Sequence, residues 1–244
     1  GVDTSQVVFS DDMITPLASV LVNRLTGSRT IITRKMQTPP SLTYDQKLKL
    51  DDLAERLIAS EEPVTILIDG HEAEISEYLI KKLPHAKVVM DGGSLRASNI
   101  KLAAWTDYFV VSEHFARDYM SYRSLSTEAD IKAALIELNK ICRGEAFITL
   151  GEKGCAFLKS GMLQIVPSWL CNAVDTTGAG DVFHGAFTYG VHYSWHIDNI
   201  ILFASLTAAI SIEKKGVRES MPDLAVVHHS LNSYERNLKQ YFEE

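Results

Sequence analysis

Cysteine is scarce: Cys142, Cys155 and Cys171 are an odd number among 244 residues, and no two stand in a C-x-x-C spacing. This argues against disulfides or a zinc site and fits a reducing compartment, so the expected location is the cytoplasm. Basic charge is also short. With 24 Lys+Arg against 31 Asp+Glu the formal net charge is -7, and no run of Lys or Arg offsets it; a nucleic-acid partner is not expected. No apolar run approaches the ~18 residues of a membrane span, and "GVDTSQVVFS" has neither the basic start nor the apolar core of a signal peptide. The Walker pattern G-x-x-x-x-G-K-[ST] occurs nowhere, which removes a P-loop enzyme. What remains is a chain, 46% hydrophobic, that can bury one large core or one core with a small appendage.

Two β-rich runs, Leu17 to Val22 and Thr30 to Thr33, flank Asn23 to Ser28 with its turn glycine Gly27, and read as a hairpin. In "SLTYDQKLKLDDLAERLIAS" the residues Leu50, Leu53, Leu57 and Ile58 form one helical stripe. Short apolar runs then alternate with helical patterns: "PVTILIDG", "EAEISEYLIKKL", "AKVVMDGG", "DYFVVSE", a helix from Thr127 to Cys142 opened by a Thr127/Asp130 capping pattern, and "AFITLG". Such alternation predicts a mostly parallel sheet covered on both faces, with ligands gathered at the carboxyl ends of its strands. Asp69-Gly70, Asp91-Gly92-Gly93, Ser112-Glu113 and Gly151 to Gly154 all follow strands and should share one rim; each alone also reads as an ordinary turn.

The stretch "VDTTGAGDVFHGAF", Val174 to Phe187, carries the most chemistry. Val182, Ala186 and Tyr189 make one apolar stripe and Phe183, Phe187 and Val191 its neighbour, so Gly178, Ala179 and Gly180 stand at the start of a buried helix. There the first amides lack intrahelical partners and the dipole is positive, so an anion can settle against backbone. Asp181 in the same turn is placed to take a proton from a hydroxyl beside that cradle. Base and anion hole in one turn suit phosphoryl transfer to an alcohol. The dinucleotide pattern G-x-G-x-x-G fits Gly178 and Gly180 but meets Phe183 at its third glycine, which disfavours a dinucleotide site. Close helix packing is the other reason for small residues at such a start.

On these residues the chain resembles the ribokinase-like (PfkB) carbohydrate kinases, whose C-terminal signature "DTTGAGDVFHGAF" is similar to. The resemblance extends over nearly the whole chain through "GVDTSQV", "GSRTI", "DGGSLR", "WTDYFVVSE", "TLGEKGC" and "KKGVRESMP". It implies a three-layer α/β/α ribokinase-like sandwich with a mostly parallel central sheet, residues 1–40 contributing part of a β-lid and residues 41–244 the nucleotide-binding core. It also implies an ATP-dependent sugar kinase that uses magnesium, with Asp181 as catalytic base and Gly178, Ala179 and Gly180 as anion hole. Thr149, Gly151 and Gly154 match the segment flanking ATP, and Ser205 and Ala208 fall on the helix lining its adenine. Asp175, the Thr177 carbonyl, Gly216 and Ser220 match positions around a monovalent cation such as K+; ordinary turn and cap roles are their other reading. The lid implies homodimer contacts.

Two departures qualify the match. The family's N-x-x-E motif, which orders magnesium-bound water, here reads Ser112-Glu113-His114-Phe115. This loss, with "VMDGG" and "VVSEHFARDYM", looks more like the ketohexokinase-like and sulfofructose-kinase-like branches and favours a keto-sugar or sugar-acid substrate. Ribose or a nucleoside is the alternative acceptor, and a non-catalytic nucleotide-binding or dimerising module the alternative outside enzymes. Second, the family's opening strand, its sugar-binding aspartate and its Gly-Gly…Asn segment are not in this sequence, so the chain is expected to be a fragment or processed product lacking much of the sugar pocket. Arg96 is a candidate for an acidic substrate group or the nucleotide phosphates, with loop capping as its other reading. His192 and His196, spaced i, i+4, lack the third ligand and general-base Glu of a metal site, and no direct metal ligand is assigned. His184, one turn beyond Asp181, reads as a packing or rim residue.

Overall fold

The computed structural model describes residues 3–5, 7, 17–22, 29–33 and 41–231; the expected turn at Gly27, the segment 34–40 and the acidic end 241–244 lie outside them. Strands β1 (Ala18–Val22) and β2 (Arg29–Thr33) pair antiparallel as a separate two-stranded sheet. Their β-branched content suits extended backbone, and the exposed Leu17, Leu21 and Ile32 leave this ribbon apolar on its surface.

The main sheet has six strands in the order in which the chain makes them: β3 (Thr65–Ile68), β4 (Lys87–Gly92), β5 (Tyr108–Ser112), β6 (Glu145–Thr149), β7 (Cys155–Lys159) and β8 (Met162–Val166). The first four are parallel, and β7 and β8 fold back antiparallel. That terminal hairpin was not anticipated, although Ser160-Gly161 between its strands is a two-residue turn signal. Helices among the described residues include α1 (Tyr44–Ala59), α2 (Ala73–Lys82), α3 (Ala97–Ala103), α4 (Glu113–Tyr119), α5 (Glu128–Asn139), α6 (Ala179–His192) and α7 (Ile197–Ile212), and 224–231 are helical as well.

Strand side chains alternate between two cores, as the pleat requires. Val88, Met90, Phe109, Val111, Ala146 and Ile148 join residues of α3, α4 and α5. Val89, Val110, Phe147 and Phe157 face the other way, against Phe183, Phe187, Val191 of α6 and Ile200, Ala204 of α7. On that second face Phe147 stacks on Phe157 at 5.6 Å between ring centroids and meets Phe187 edge-on at 5.3 Å. Each fully buried Phe contributes roughly 1.5–3 kcal/mol, so α6 is held along its length. The result is a mostly parallel sheet between two helical layers, the architecture expected.

Local signals explain several boundaries. The Thr127/Asp130 capping box is present, with Asp130 N–H donating to Thr127 Oγ1 and Thr127 N–H to Asp130 Oδ2, both at 3.1 Å. Helix α5 ends at Asn139, short of the expected Cys142, because the Asn139 amide turns to donate to the Leu135 carbonyl while its oxygen accepts from Ala146 N–H. The same reciprocal cap, Thr43 with Gln46, opens α1. On α1 the buried residue is Ala54, whereas Ile58 is 60% exposed; the stripe toward α2 is narrower than expected.

Candidate active site

Helix α6 begins at the rim formed by the carboxyl ends of the parallel strands. Its cap, Gly178, takes φ +76°, a left-handed conformation that costs a side-chain-bearing residue, and a Cβ there would stand 2.6 Å from Val217 Cγ1. Gly180, inside the first turn, has nothing within 4 Å of where a Cβ would sit. Glycine at a helical position costs ~1 kcal/mol relative to alanine, and the protein's own packing does not require it here. Bare backbone at this position is what close approach of an anion would use. The first i to i−4 bond of the helix runs from Val182 N–H to the Gly178 carbonyl at 2.9 Å. The amides before it face the helix's positive end, although Ala179 N–H is partly engaged by the Thr176 carbonyl at 3.3 Å. Asp181 is exposed in the same turn.

The loop before α6 is tied down by Asp175. Its carboxylate accepts from Thr177 N–H at 3.0 Å and from Gly216 N–H at 3.3 Å, joining the 174–178 loop to the segment after α7. Val174 and Asp175 amides also both donate to the Ile212 carbonyl. Gly216 has φ +87°, and buried Ser220 donates to the Val217 carbonyl at 3.3 Å. Four residues expected around a cation, Asp175, Thr177, Gly216 and Ser220, thus belong to two joined loops, and Asp175 itself serves as their backbone clamp.

Beneath this turn lies an unanticipated pair. His184 is buried, not on the rim: Nδ1 is 2.7 Å from the Gly180 carbonyl and 3.3 Å from Asp91 Oδ2, and Nε2 is 3.1 Å from the Val110 carbonyl. Asp91 is the last but one residue of β4, its side chain 17% exposed. Burial pushes its carboxyl above the usual carboxylate range, His184 pulls it back, and the neighbouring charges of Asp181 and Asp69 push it up again. Ser112 knits the rim further, donating to the Gly93 carbonyl at 2.9 Å and accepting from Phe115 N–H at 3.0 Å as the cap of α4. Glu113 follows as the first residue of α4.

The other candidates are spread more widely. Thr149 closes β6 with Oγ1 3.4 Å from the Val111 carbonyl, and Gly151 and Gly154 bracket a single 3-10 turn. Ser205 is buried on α7 and Ala208 half-buried against the α6–α7 core. An apolar cavity of about 340 Å³ opens behind Asp181, lined among others by Val182, Tyr189, Phe203 and Thr207; Ser205 and Ala208 do not line it. Arg96 stands half-exposed before α3, and its side chain has no ion pair among the described residues. His192 ends α6, facing Thr65 Oγ1 at 3.4 Å, whereas His196 precedes α7 and faces Asp198 at 3.3 Å, so the two do not share a helix face. No group of three or more metal-ligating side chains occurs among the described residues.

A mostly parallel α/β sheet whose rim presents a small-residue helix start with an acid in its first turn is an arrangement suited to an anion. The model of the pfkB family carbohydrate kinases matches residues 1–224, and the chain belongs to that family. A ribokinase of Lactococcus lactis subsp. lactis is 29% identical over 189 residues, 78% of this chain and 60% of the relative, so the chain spans about three fifths of that protein's length. The solved ribokinase structure from Giardia lamblia superposes with a TM-score of 0.76 at 20% identity, covering 91% of this chain and 72% of that one. Arabidopsis thaliana ribokinase complexed with ribose and ATP gives 0.70 at 20% identity, covering 89% and 69%. The fold is ribokinase-like.

Proposed function

We propose that the chain forms the phosphoryl-transfer part of an ATP-dependent sugar kinase. The observation that carries this reading is the α6 start, where Gly180 leaves backbone open to an anion with Asp181 in the same turn. In this reading the amides of Gly178, Ala179 and Gly180 stabilise charge on the transferring phosphoryl, and Asp181 takes the proton of the acceptor hydroxyl. Thr149, Gly151 and Gly154 flank the nucleotide, Ser205 and Ala208 lie toward its base, and Arg96 offers an unpaired charge to phosphate or substrate. Residues 1–40 serve as lid and homodimer contact, and 41–244 as the core. Magnesium, when bound, would supply charge neutralisation at the phosphates, held largely through water. Asp175 with the Thr177 carbonyl, Gly216 and Ser220 is the place for a monovalent cation.

For the acceptor, the curated and solved relatives named as ribokinases favour ribose, while the "VMDGG" segment and the Ser112-Glu113-His114-Phe115 replacement favour a keto-sugar or sugar acid. ADP release by the complete protein, measured with ATP and magnesium against pentoses, ketoses, sugar acids and nucleosides, separates them. Asp181→Asn is expected to lower kcat by about 10²- to 10⁴-fold with the fold intact. Near-normal turnover would remove Asp181 from its role, and ATP binding without turnover on any acceptor would favour a non-catalytic module.

A further inference from the structure

The buried pair below α6 invites a functional account. A neutral imidazole has one N–H donor, yet both ring nitrogens of His184 face carbonyl oxygens, of Gly180 and Val110. Only the doubly protonated ring satisfies both, and Asp91 at 3.3 Å supplies the counter-charge. The acceptors come from three elements: Asp91 from β4, Val110 from β5 and Gly180 from the first turn of α6. A phenylalanine or leucine would fill the same space at lower electrostatic cost, since a buried ion pair repays its desolvation poorly. The charge therefore calls for a purpose beyond packing.

We infer that His184, as an imidazolium paired with Asp91, positions the first turn of α6, and with it Asp181 and the anion-hole amides, for transfer. This deepens the kinase reading and rests on it. By gripping the Gly180 carbonyl from below, the ring fixes the turn whose upper side presents the amides to phosphate. By neutralising Asp91, it removes a buried like charge from beneath the two exposed carboxylates of the cluster, Asp181 and Asp69. The charged groups facing the pair are Asp69 from the end of β3 and Asp181 from α6.

The test has two parts. The first needs no turnover: ring ¹⁵N shifts of His184, assigned by their loss in His184→Gln, are expected to report both nitrogens protonated at pH 7; a neutral tautomer overturns the proposal. The second uses kcat, KM and pH profiles of the complete protein. His184→Gln and Asp91→Asn are expected to lower kcat by up to ~100-fold, the cost of a displaced reacting group, with KM for ATP little changed.

Their acid limbs should move in opposite directions. His184→Gln leaves Asp91 beside Asp181 without its counter-charge and shifts the limb to higher pH; Asp91→Asn leaves the imidazolium alone and shifts it to lower pH. A packing role moves neither limb in this paired way, so unchanged kcat or limbs shifted together overturn the inference. Should His184→Gln not fold, the shape-conserving Asp91→Asn decides by its kcat and its limb. If the wild type phosphorylates no acceptor, the kinase reading fails by itself, and ring protonation together with loss of Val182 amide exchange protection in Asp91→Asn still decides whether the pair holds the turn.

Discussion

At the amino ends of the parallel strands Asp107 is fully occupied. It accepts from Val88 N–H at 2.8 Å and from Arg143 Nε at 2.9 Å, with a second bond from the Arg143 guanidinium, while nearby Lys87 donates to Ser194 at 2.8 Å. At the carboxyl ends Asp91 shares His184 with two carbonyls, Asp181 is exposed, and Gly180 leaves open space. Both ends carry acids beside strand termini, but one end spends them on backbone and guanidinium while the other keeps a carboxylate and amides in reserve. The difference separates an end whose acid is bonded within the fold from one that leaves a carboxylate exposed. It also explains why an acid following a strand was ambiguous in isolation.

Substitutions can break this contrast. The largest effect is expected from Gly180→Ala, which should lower turnover of the complete protein by ~10²-fold, comparable with loss of an oxyanion donor, while thermal melting shows stability unchanged or slightly raised. A stability loss with normal turnover would make Gly180 a packing residue. Gly178→Ala should instead cost about 1–3 kcal/mol through its left-handed backbone and the Val217 contact, read by urea unfolding. At the other end, Arg143→Ala should cost about 1 kcal/mol, given its partial exposure, with kcat and KM unchanged; reduced kcat would show the two ends to be coupled.

The smallest effect concerns thiols under each end. Burial pushes Cys155, below the rim, up to about 12 and Cys142, near the floor, up to about 11. Both folded values lie above the ordinary ~8.5 of a free thiol, so their contribution is full below that value and is lost as pH rises toward the folded values, because the unfolded chain releases these protons first. Unfolding midpoints should fall between pH 9 and 11 in the wild type, and less so in Cys155→Ala when each variant is compared with itself at pH 7. Alkylation of the folded protein at pH 8 should reach the half-exposed Cys171 before Cys142, and Cys155 only on unfolding.

Much of this was legible from local pattern. Short continuous apolar runs marked β3 to β6, the Thr127/Asp130 box marked α5, and the paired stripes of Val182–Ala186 and Phe183–Phe187 marked α6 as buried. The short helices α3 and α4 carry too few turns to show a period, and the β7–β8 hairpin hid behind glycines read as ligand-facing. The partners of His184, whose two readings were packing and rim, were hidden for a different reason. Its bond to Gly180 is local, at i−4, but its other acceptor lies 74 positions away on β5, and its counter-charge comes from β4.

Hydrophobic periodicity, capping residues and the Gly-Ala-Gly-Asp run by themselves determined an alternating α/β chain with an anion-ready helix start, because each depends on neighbours within a turn or a pleat. Tertiary structure decided which acids are bonded and which stay exposed, and set His184 beneath the first turn of α6 against Asp91. Charge and hydrogen-bond satisfaction are properties of what surrounds a side chain, and here those surroundings are assembled from strands far apart in the chain.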